Sequence, residues 1–179
     1  LAQSYSNWEL IFWDNKSTDE SASILHSYQD DRIKYYLAPQ HTSLGEGRNL
    51  ALGMASGEYV SFLDADDYWH PNKLLKQYRF HRDNPNIVLS FTNYHHTTPE
   101  NTDLGDCFQY WPHFNKLVQD DSEFHYLDQP TEKIYSENVI GTSCVMIKTK
   151  TYKLLGGFDN KLKSAEDWDL WLRFSKYGK

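Results

Sequence analysis

The chain has 179 residues and a net charge of −7, with a mean hydropathy of −0.74, and this length suffices for one domain with a buried core. The acidic balance argues against a nucleic-acid partner, which needs clustered Lys and Arg. No apolar run approaches the ~20 residues of a membrane-spanning helix, and the first residues do not resemble a signal peptide.

The cysteine content indicates a reducing compartment. Cys107 and Cys144 lack the spacing of metal ligands, and two cysteines are too few for a disulfide framework. We therefore expect a cytoplasmic location, either free in solution or peripheral at the inner face of a membrane.

The first half of the chain alternates between predicted strands and helices. Short apolar segments predict strands over residues 9–13, 33–37, 58–63 and 87–91. Helices are predicted over residues 21–29, from a capping box at Ser43 and Glu46 to residue 57, and from Pro71 to residue 83. Such alternation is typical of an α/β fold.

The second half of the chain is regular only toward its end. Residues 95–138 are aromatic-rich and polar, without a sustained period. A strand is predicted over residues 144–148 and a helix over 149–155, ended by Gly156 and Gly157, and a last helix begins at Ala165. The pattern predicts a mostly parallel sheet covered by helices, which binds ligands beyond the carboxyl ends of its strands.

Three carboxylates follow the third predicted strand directly, those of Asp64, Asp66 and Asp67. Carboxylates this close repel one another, and a hard divalent cation such as Mg²⁺ or Mn²⁺ is the usual way to satisfy them. Such a cation could also bridge the phosphates of a nucleotide. The alternative is a solvated turn that caps the following helix.

Three segments carry a resemblance to a known family. In chain order they are WELIFWDNKSTDES, GEGRNLALGMASGEYVSFLDADD and GGFDNKLKSAEDWDLWLR. Together they resemble the successive signatures of family 2 glycosyltransferases of the bacterial-polysaccharide type, over residues 4–173. The resemblance implies the GT-A fold, with a Rossmann-like, mostly parallel sheet flanked by helices. It also implies one catalytic domain over residues 1–179, with a nucleotide-sugar-binding half (1–92) and an acceptor-binding half (93–179).

The resemblance also bears on the start of the sheet and on the nucleotide base. It places a further strand upstream of Leu1, so we expect open edges on the strands at 9–13 and 58–63, which favour self-association, for example as a homodimer. Asp14 takes the position that contacts the nucleotide base. Asn15 and Lys16 stand where the family has Asp and Gly.

Further donor-binding residues are implied by the second segment. Arg48 takes the position of an arginine that helps to hold the nucleotide, and the alternative is an exposed helix arginine. Among the three carboxylates, the resemblance implies that Asp64 faces the ribose and that Asp66 binds the metal. Asp67 lies close by as a further metal ligand.

The last segment contains the expected general base. On a helix, Glu166, Asp169 and Arg173 share one face, where Asp169 and Arg173 can pair at i, i+4. Asp167 lies off that face, on the side of Trp171. The Glu-Asp motif of the family implies the same residue, Asp167, as base. The alternative is that Asp167 only closes a capping box at the helix start.

The acceptor side is less defined. Some aromatic residues lie in segments that lack the periodicity of core residues, and we expect these to stack against a sugar: Tyr68, Trp69, Tyr110 and Trp111. Glu166 is a further acceptor-side candidate. Trp171, at helical spacing within the last segment, is expected in the core instead.

The resemblance implies a metal-dependent transfer of a hexosyl or N-acetylhexosaminyl group, with inversion, from a nucleotide-diphospho-sugar donor. The acceptor would be a hydroxyl of a glycan or a lipid-linked sugar, in cell-surface polysaccharide or glycan synthesis, with Mn²⁺ or Mg²⁺ as cofactor. Two alternatives remain: a non-catalytic nucleotide-sugar-binding module, and another metal-dependent nucleotide enzyme such as a nucleotidyltransferase.

Overall fold

A computed structural model describes residues 1–100, 102–117 and 122–178. Its strands are β1 (Leu10–Asp14), β2 (Ile33–Leu37), β3 (Tyr59–Val60), β4 (Leu89–Phe91), β5 (His95–Thr97), β6 (Asp103–Asp106) and β7 (Val145–Lys148). Its helices are α1 (Ser21–His26), α2 (Leu44–Gly53), α3 (Lys73–Asp83), α4 (Pro112–Asn115), α5 (Pro130–Ser136), α6 (Thr149–Leu154) and α7 (Glu166–Tyr177). Short 3₁₀ helices cover Cys107–Tyr110 and Thr142–Cys144.

The strands form three small sheets in the described part of the chain. β1 pairs with β2 in parallel, and β7 pairs antiparallel with both β3 and β4. β5 and β6, which the sequence did not predict, form an antiparallel hairpin. The α/β class is confirmed. The expectation of mostly parallel pairing is wrong for the sheet of β3, β7 and β4. In this sheet β3 and β4 run in the same direction, and β7 lies between them in the opposite direction.

The hydrophobic core lies where α7 packs against the sheet of β3, β7 and β4. Leu170, Trp171 and Phe174 of α7 are buried in one cluster with Val145 and Ile147 of β7. The predicted core position of Trp171 is confirmed. Within the described ranges, no helix has the length and apolar character needed to cross a membrane.

The helices that carry the site begin differently. At the start of α2, the hydroxyl of Ser43 accepts a hydrogen bond from the backbone N–H of Glu46 at 3.3 Å, so the predicted N-cap is confirmed. Helix α7 begins after Ala165, which has a left-handed backbone with φ 57° and no side-chain cap. The capping box considered for Asp167 is therefore absent.

Asn49 of α2 holds the turn that leads toward α7. Its Nδ2 donates to the carbonyl of Phe158 at 2.9 Å, and its Oδ1 accepts from the backbone N–H of Phe158 at 2.9 Å. The hydroxyl of Tyr152 donates to the same Oδ1. A Cβ on Gly157, where φ is +71°, would lie 2.5 Å from that oxygen. Glycine is required here, and this close approach brings α2 against the segment before α7.

Candidate active site

One cleft of about 1790 Å³ is lined by residues from α2, from the segment after β3 and from α7. The segment that holds the three carboxylates, residues 64–67, is called the acidic turn below. The sequence-predicted site residues that line the cleft are Arg48, Asp64, Asp66, Asp67, Trp69, Glu166 and Asp167. Asp14 and Trp111 are not among its lining residues.

Two ion pairs connect the sides of this cleft through Arg48. Its guanidinium lies 2.8 Å from Asp64 Oδ1 and 3.0 Å from Glu166 Oε1. The side chains of Arg48 and Glu166 are only 10% and 11% exposed, and charges so little hydrated need partners of opposite sign. The alternative of an exposed helix arginine is therefore wrong. The ion pairs join the acidic turn to the first residue of α7.

Asp66 and Asp67 present their carboxylates to solvent. Both residues are exposed, and neither side chain has a hydrogen bond or ion pair with the described residues. In the same ranges, no three His, Cys, Asp or Glu side chains converge as a metal site. Two carboxylates still suit Mg²⁺, which is usually bound by one or two carboxylates together with water and substrate phosphates. These two carboxylates of the acidic turn therefore fit a divalent cation that takes its remaining ligands from water or from a substrate.

Asp167 lies partly buried at the start of α7, and its carboxylate is oriented by two donors. The hydroxyl of Thr142 donates to Oδ2 at 2.9 Å, and the backbone N–H of Trp168 donates to Oδ1 at 2.7 Å. On the other face of the helix, Arg173 pairs with Asp169 at 2.6 Å, as the i, i+4 spacing predicted. The carboxylate of Asp167 therefore lines the cleft without a cationic partner among the described residues.

Sequence reasoning missed Thr142 and Ser143, which connect the elements of the site. The hydroxyl of Ser143 accepts from the backbone N–H of Asp64 at 3.0 Å, and its carbonyl accepts from Trp69 Nε1 at 2.7 Å. These two residues precede β7, in a short segment without periodicity. The sequence shows only that two small hydroxyl residues lie next to a predicted strand. This pattern does not reveal that Thr142 contacts Asp167, 25 residues away.

Asp14 is placed apart from the cleft. It is only 3% exposed, and its two carboxylate oxygens accept from the backbone N–H of Ser17 at 2.7 Å and from the hydroxyl of Tyr35 at 2.6 Å. The bond from Tyr35, followed by that from Ser17, lowers the pKa of Asp14. Asn15 holds the backbone of Thr42 with both ends of its amide. This end of β1 is thus a rigid turn whose carboxylate already has partners.

The two predicted stacking tryptophans differ. Trp69 lines the cleft, and the ammonium of Lys73 lies 4.3 Å from the centre of its ring. Trp111 is partly buried and packs against the hydrophobic core instead. Tyr68 also lines the cleft and is 75% exposed. The ring surface that a sugar could reach is therefore that of Tyr68 and Trp69.

The sequence profile of glycosyl transferase family 2 matches residues 1–139, which include Arg48 and the acidic turn. The chain belongs to glycosyl transferase family 2. TuaG of Bacillus subtilis (strain 168), named as a teichuronic acid biosynthesis glycosyltransferase, is 38% identical over 124 residues, covering 68% of this chain and 48% of TuaG. WfaP of Escherichia coli, a UDP-Glc:alpha-D-GlcNAc-diphosphoundecaprenol beta-1,3-glucosyltransferase, is 36% identical over 95 residues, covering 53% of this chain and 38% of WfaP.

Among solved structures, S. aureus TarS superposes with a TM-score of 0.67 over 97% of this chain and 48% of that chain, at 19% sequence identity. This likeness concerns the fold and confirms, with the family 2 profile, the predicted GT-A class. The chain spans about half or less of the length of these three relatives.

Proposed function

We propose that this chain is the catalytic part of an inverting family 2 glycosyltransferase, which moves a sugar from a nucleotide-diphosphate donor to an acceptor hydroxyl. The observation that carries this proposal is the position of Arg48 between Asp64 and Glu166, at 2.8 and 3.0 Å. These ion pairs hold the acidic turn and the start of α7 on one cleft. A donor bound at the turn and an acceptor beside Asp167 can then meet.

On the donor side, Asp64 orients the ribose, and Asp66 and Asp67 would hold Mg²⁺ or Mn²⁺. Bound there, the cation supplies charge neutralisation for the departing nucleoside diphosphate. Arg48 has both terminal nitrogens engaged with carboxylates, so it positions Asp64 and acts on the donor through that residue. Asp14 acts in the same half, residues 1–92, by holding the turn after β1 near the nucleotide base.

In the transfer step, Asp167 accepts the proton of the acceptor hydroxyl while the oxygen of that hydroxyl bonds to the anomeric carbon. The bond from this carbon to the diphosphate oxygen breaks, the diphosphate leaves with the electron pair, and the configuration inverts. The hydroxyl of Thr142, 2.9 Å from Oδ2, keeps the carboxylate oriented. Glu166 is less suited as base, because its Oε1 is already held by Arg48.

The acceptor binds beside residues 93–179, with Tyr68 and Trp69 as its stacking surface. The names of TuaG and WfaP refer to teichuronic acid and to a sugar on diphosphoundecaprenol. By analogy, the acceptor is a glycan or lipid-linked sugar in cell-surface polysaccharide synthesis, and the donor carries a hexosyl or N-acetylhexosaminyl group. For its location we keep the cytoplasmic side, which the cysteine content predicts.

A product assay on the full-length protein tests this function. The protein is incubated with Mn²⁺, a panel of nucleotide sugars and a lipid-linked sugar acceptor, and the released nucleotide is identified. A glycosyltransferase releases a nucleoside diphosphate together with a lengthened acceptor. Release of pyrophosphate would identify a nucleotidyltransferase instead, and donor binding without any product would identify a binding module.

A further inference from the structure

Lys73, the first residue of α3, carries a charge that the proposed reaction does not use. The residue is only 8% exposed, and its ammonium donates to Gln77 Oε1 at 2.8 Å and faces the ring of Trp69 at 4.3 Å. No carboxylate in the described ranges forms an ion pair with it. An ammonium has three N–H donors, and Gln77 accepts from one of them.

The surroundings of Lys73 are fixed by a buried polar network. Gln77 Nε2 donates to the hydroxyl and carbonyl of Ser90 at 3.1 and 3.3 Å and to the carbonyl of Cys144 at 3.2 Å. The ring of His81 contacts the same Ser90 hydroxyl at 3.0 Å. These bonds orient the amide so that its oxygen faces Lys73. The ammonium is therefore held in one position before any ligand binds.

A buried cation without an anion is costly to the fold. Taking an ammonium out of water is unfavourable unless an opposite charge compensates, and burial lowers the pKa of Lys73 to about 8. The ring of Trp69 and one amide oxygen offset only part of this cost. An anionic group beside the ammonium would supply the missing compensation.

The position of Lys73 indicates which substrate would bring that group. Lys73 lines the cleft, and its neighbour Trp69 donates to the carbonyl of Ser143 at 2.7 Å. Thr142, the residue before Ser143, donates to Asp167 at 2.9 Å. Three contacts, joined through the backbone of residues 142–143, thus connect the ammonium to the proposed base. We propose that Lys73 binds a phosphate group of the acceptor, an assignment that rests on the proposed function because it takes Asp167 to mark the acceptor side.

Binding without metal tests this proposal separately from catalysis. In the full-length protein, with divalent cations removed by a chelator, calorimetry at pH 7 is expected to show binding of glucose 1-phosphate and much weaker binding of glucose. Lys73→Met should weaken the binding of glucose 1-phosphate at least tenfold. Lys153→Met, at an exposed lysine of α6 that does not line the cleft, is the charge-matched control and should bind as wild type does.

Three binding results would overturn the proposal. They are no metal-free binding of glucose 1-phosphate by the wild type, equal binding by Lys73→Met, and an equal loss of binding in Lys153→Met. UDP is titrated under the same conditions. If UDP, and not glucose 1-phosphate, loses affinity in Lys73→Met, the anion belongs to the donor and the acceptor assignment is wrong. Loss of turnover in Asp167→Asn bears on the proposed function alone.

Two further measurements separate ligand binding from a structural role. Without ligand, Lys73→Met should melt at the same temperature as wild type or higher, because it removes an uncompensated buried charge. A drop of several degrees, with binding retained, would show a purely structural lysine. In the wild type, carbon-13 NMR of the lysine Cε should show the pKa of Lys73 rising when glucose 1-phosphate is added and staying constant with glucose. A constant pKa with both ligands would contradict the proposal.

Discussion

The guanidinium of Arg48 lies between a half-exposed carboxylate, that of Asp64, and the nearly buried carboxylate of Glu166. Removing one partner of such a cluster leaves charges without compensation, which costs more than the intact ion pairs contribute. Arg48→Met should therefore lower the free energy of unfolding by about 3 kcal/mol, measured by urea denaturation.

Two further variants check the origin of this loss. Arg82→Met removes an arginine that is 56% exposed and paired with Asp83, and it should cost less than about 1 kcal/mol. Combining Arg48→Met with Glu166→Gln should recover part of the loss, because the buried negative charge is gone as well. Equal effects of Arg48→Met and Arg82→Met would contradict the assigned role of Arg48.

The carboxylate of Asp66 has no protein partner among the described residues, so its removal should affect ligands and not the fold. Asp66→Asn is expected to lose Mn²⁺-dependent binding of the nucleoside diphosphate, because the amide is a weaker ligand for a hard cation. Its melting temperature should stay within about 2 °C of wild type, since surface changes rarely exceed ±0.5 kcal/mol. Calorimetry with and without chelator checks this, and unchanged metal-dependent binding would remove Asp66 from the metal site.

The contact between α2 and the turn before α7 depends on Gly157. Alanine at this position would have to adopt φ +71° and place its Cβ 2.5 Å from Asn49 Oδ1. Gly157→Ala should cost at least ~2 kcal/mol, from backbone strain and displacement of the half-buried amide of Asn49. Gly53→Ala is the matched control: no atom lies within 4 Å of its Cβ position, and it should stabilise by up to ~1 kcal/mol. Similar effects of both variants in thermal denaturation would contradict the required close approach.

Local sequence patterns predicted helices and strands correctly where a single feature, such as a capping residue or a short apolar segment, was sufficient. The Ser43 cap started α2 as expected, and apolar segments located β2 and β7. The predicted strand over residues 58–63 is paired only at Tyr59–Val60, because strand length depends on partners that a sequence pattern does not show. The antiparallel direction of β7 was missed for the same reason: periodicity predicts a strand but not its neighbours.

The candidate site was predictable to the extent that it rests on charged side chains next to strands and helix starts. Asp64, Asp66 and Asp167 line one cleft as the segments implied. Arg48 and Glu166 form an ion pair although they lie 118 positions apart in the sequence, and no local pattern predicts this contact. The hydroxyl of Thr142 was missed because its partner lies 25 residues away. Long-range pairing between side chains is thus the part that sequence patterns leave undetermined.

Glu9 links the sheet of β1 and β2 to the segment between α2 and β3. Its Oε2 lies 2.6 Å from the ammonium of Lys34, and its Oε1 accepts from the backbone N–H of Ser56 at 2.6 Å. Burial opposes ionisation, but the bonds from Lys34 and Ser56 outweigh it and lower the pKa of Glu9 from 4.5 to about 2. This carboxylate therefore stabilises the fold above pH 4.5, and the contribution, up to ~3 kcal/mol, is lost as the pH falls through 2.

Urea denaturation at pH 6 and pH 3 checks this sign. The wild type should lose more stability over this interval than Glu9→Gln, which has no proton to gain at that position. Glu100→Gln, at an exposed carboxylate before β6, should behave as wild type does. An equal loss in wild type and Glu9→Gln would show that Glu9 does not couple stability to pH.

In the proposed function, the acidic turn and α7 form one active site with Asp167 as base. The most direct test compares donor binding and sugar transfer in Asp167→Asn and wild type, using the full-length protein with Mn²⁺. The amide keeps the shape of the side chain but cannot accept a proton, so transfer should fall by more than 100-fold, while the dissociation constant of the donor changes less than twofold. Asp169→Asn, paired with Arg173 on the other face, should retain most of the activity. A transfer rate above one tenth of wild type in Asp167→Asn would contradict the account, and Asp169 would then be the first carboxylate to examine as base.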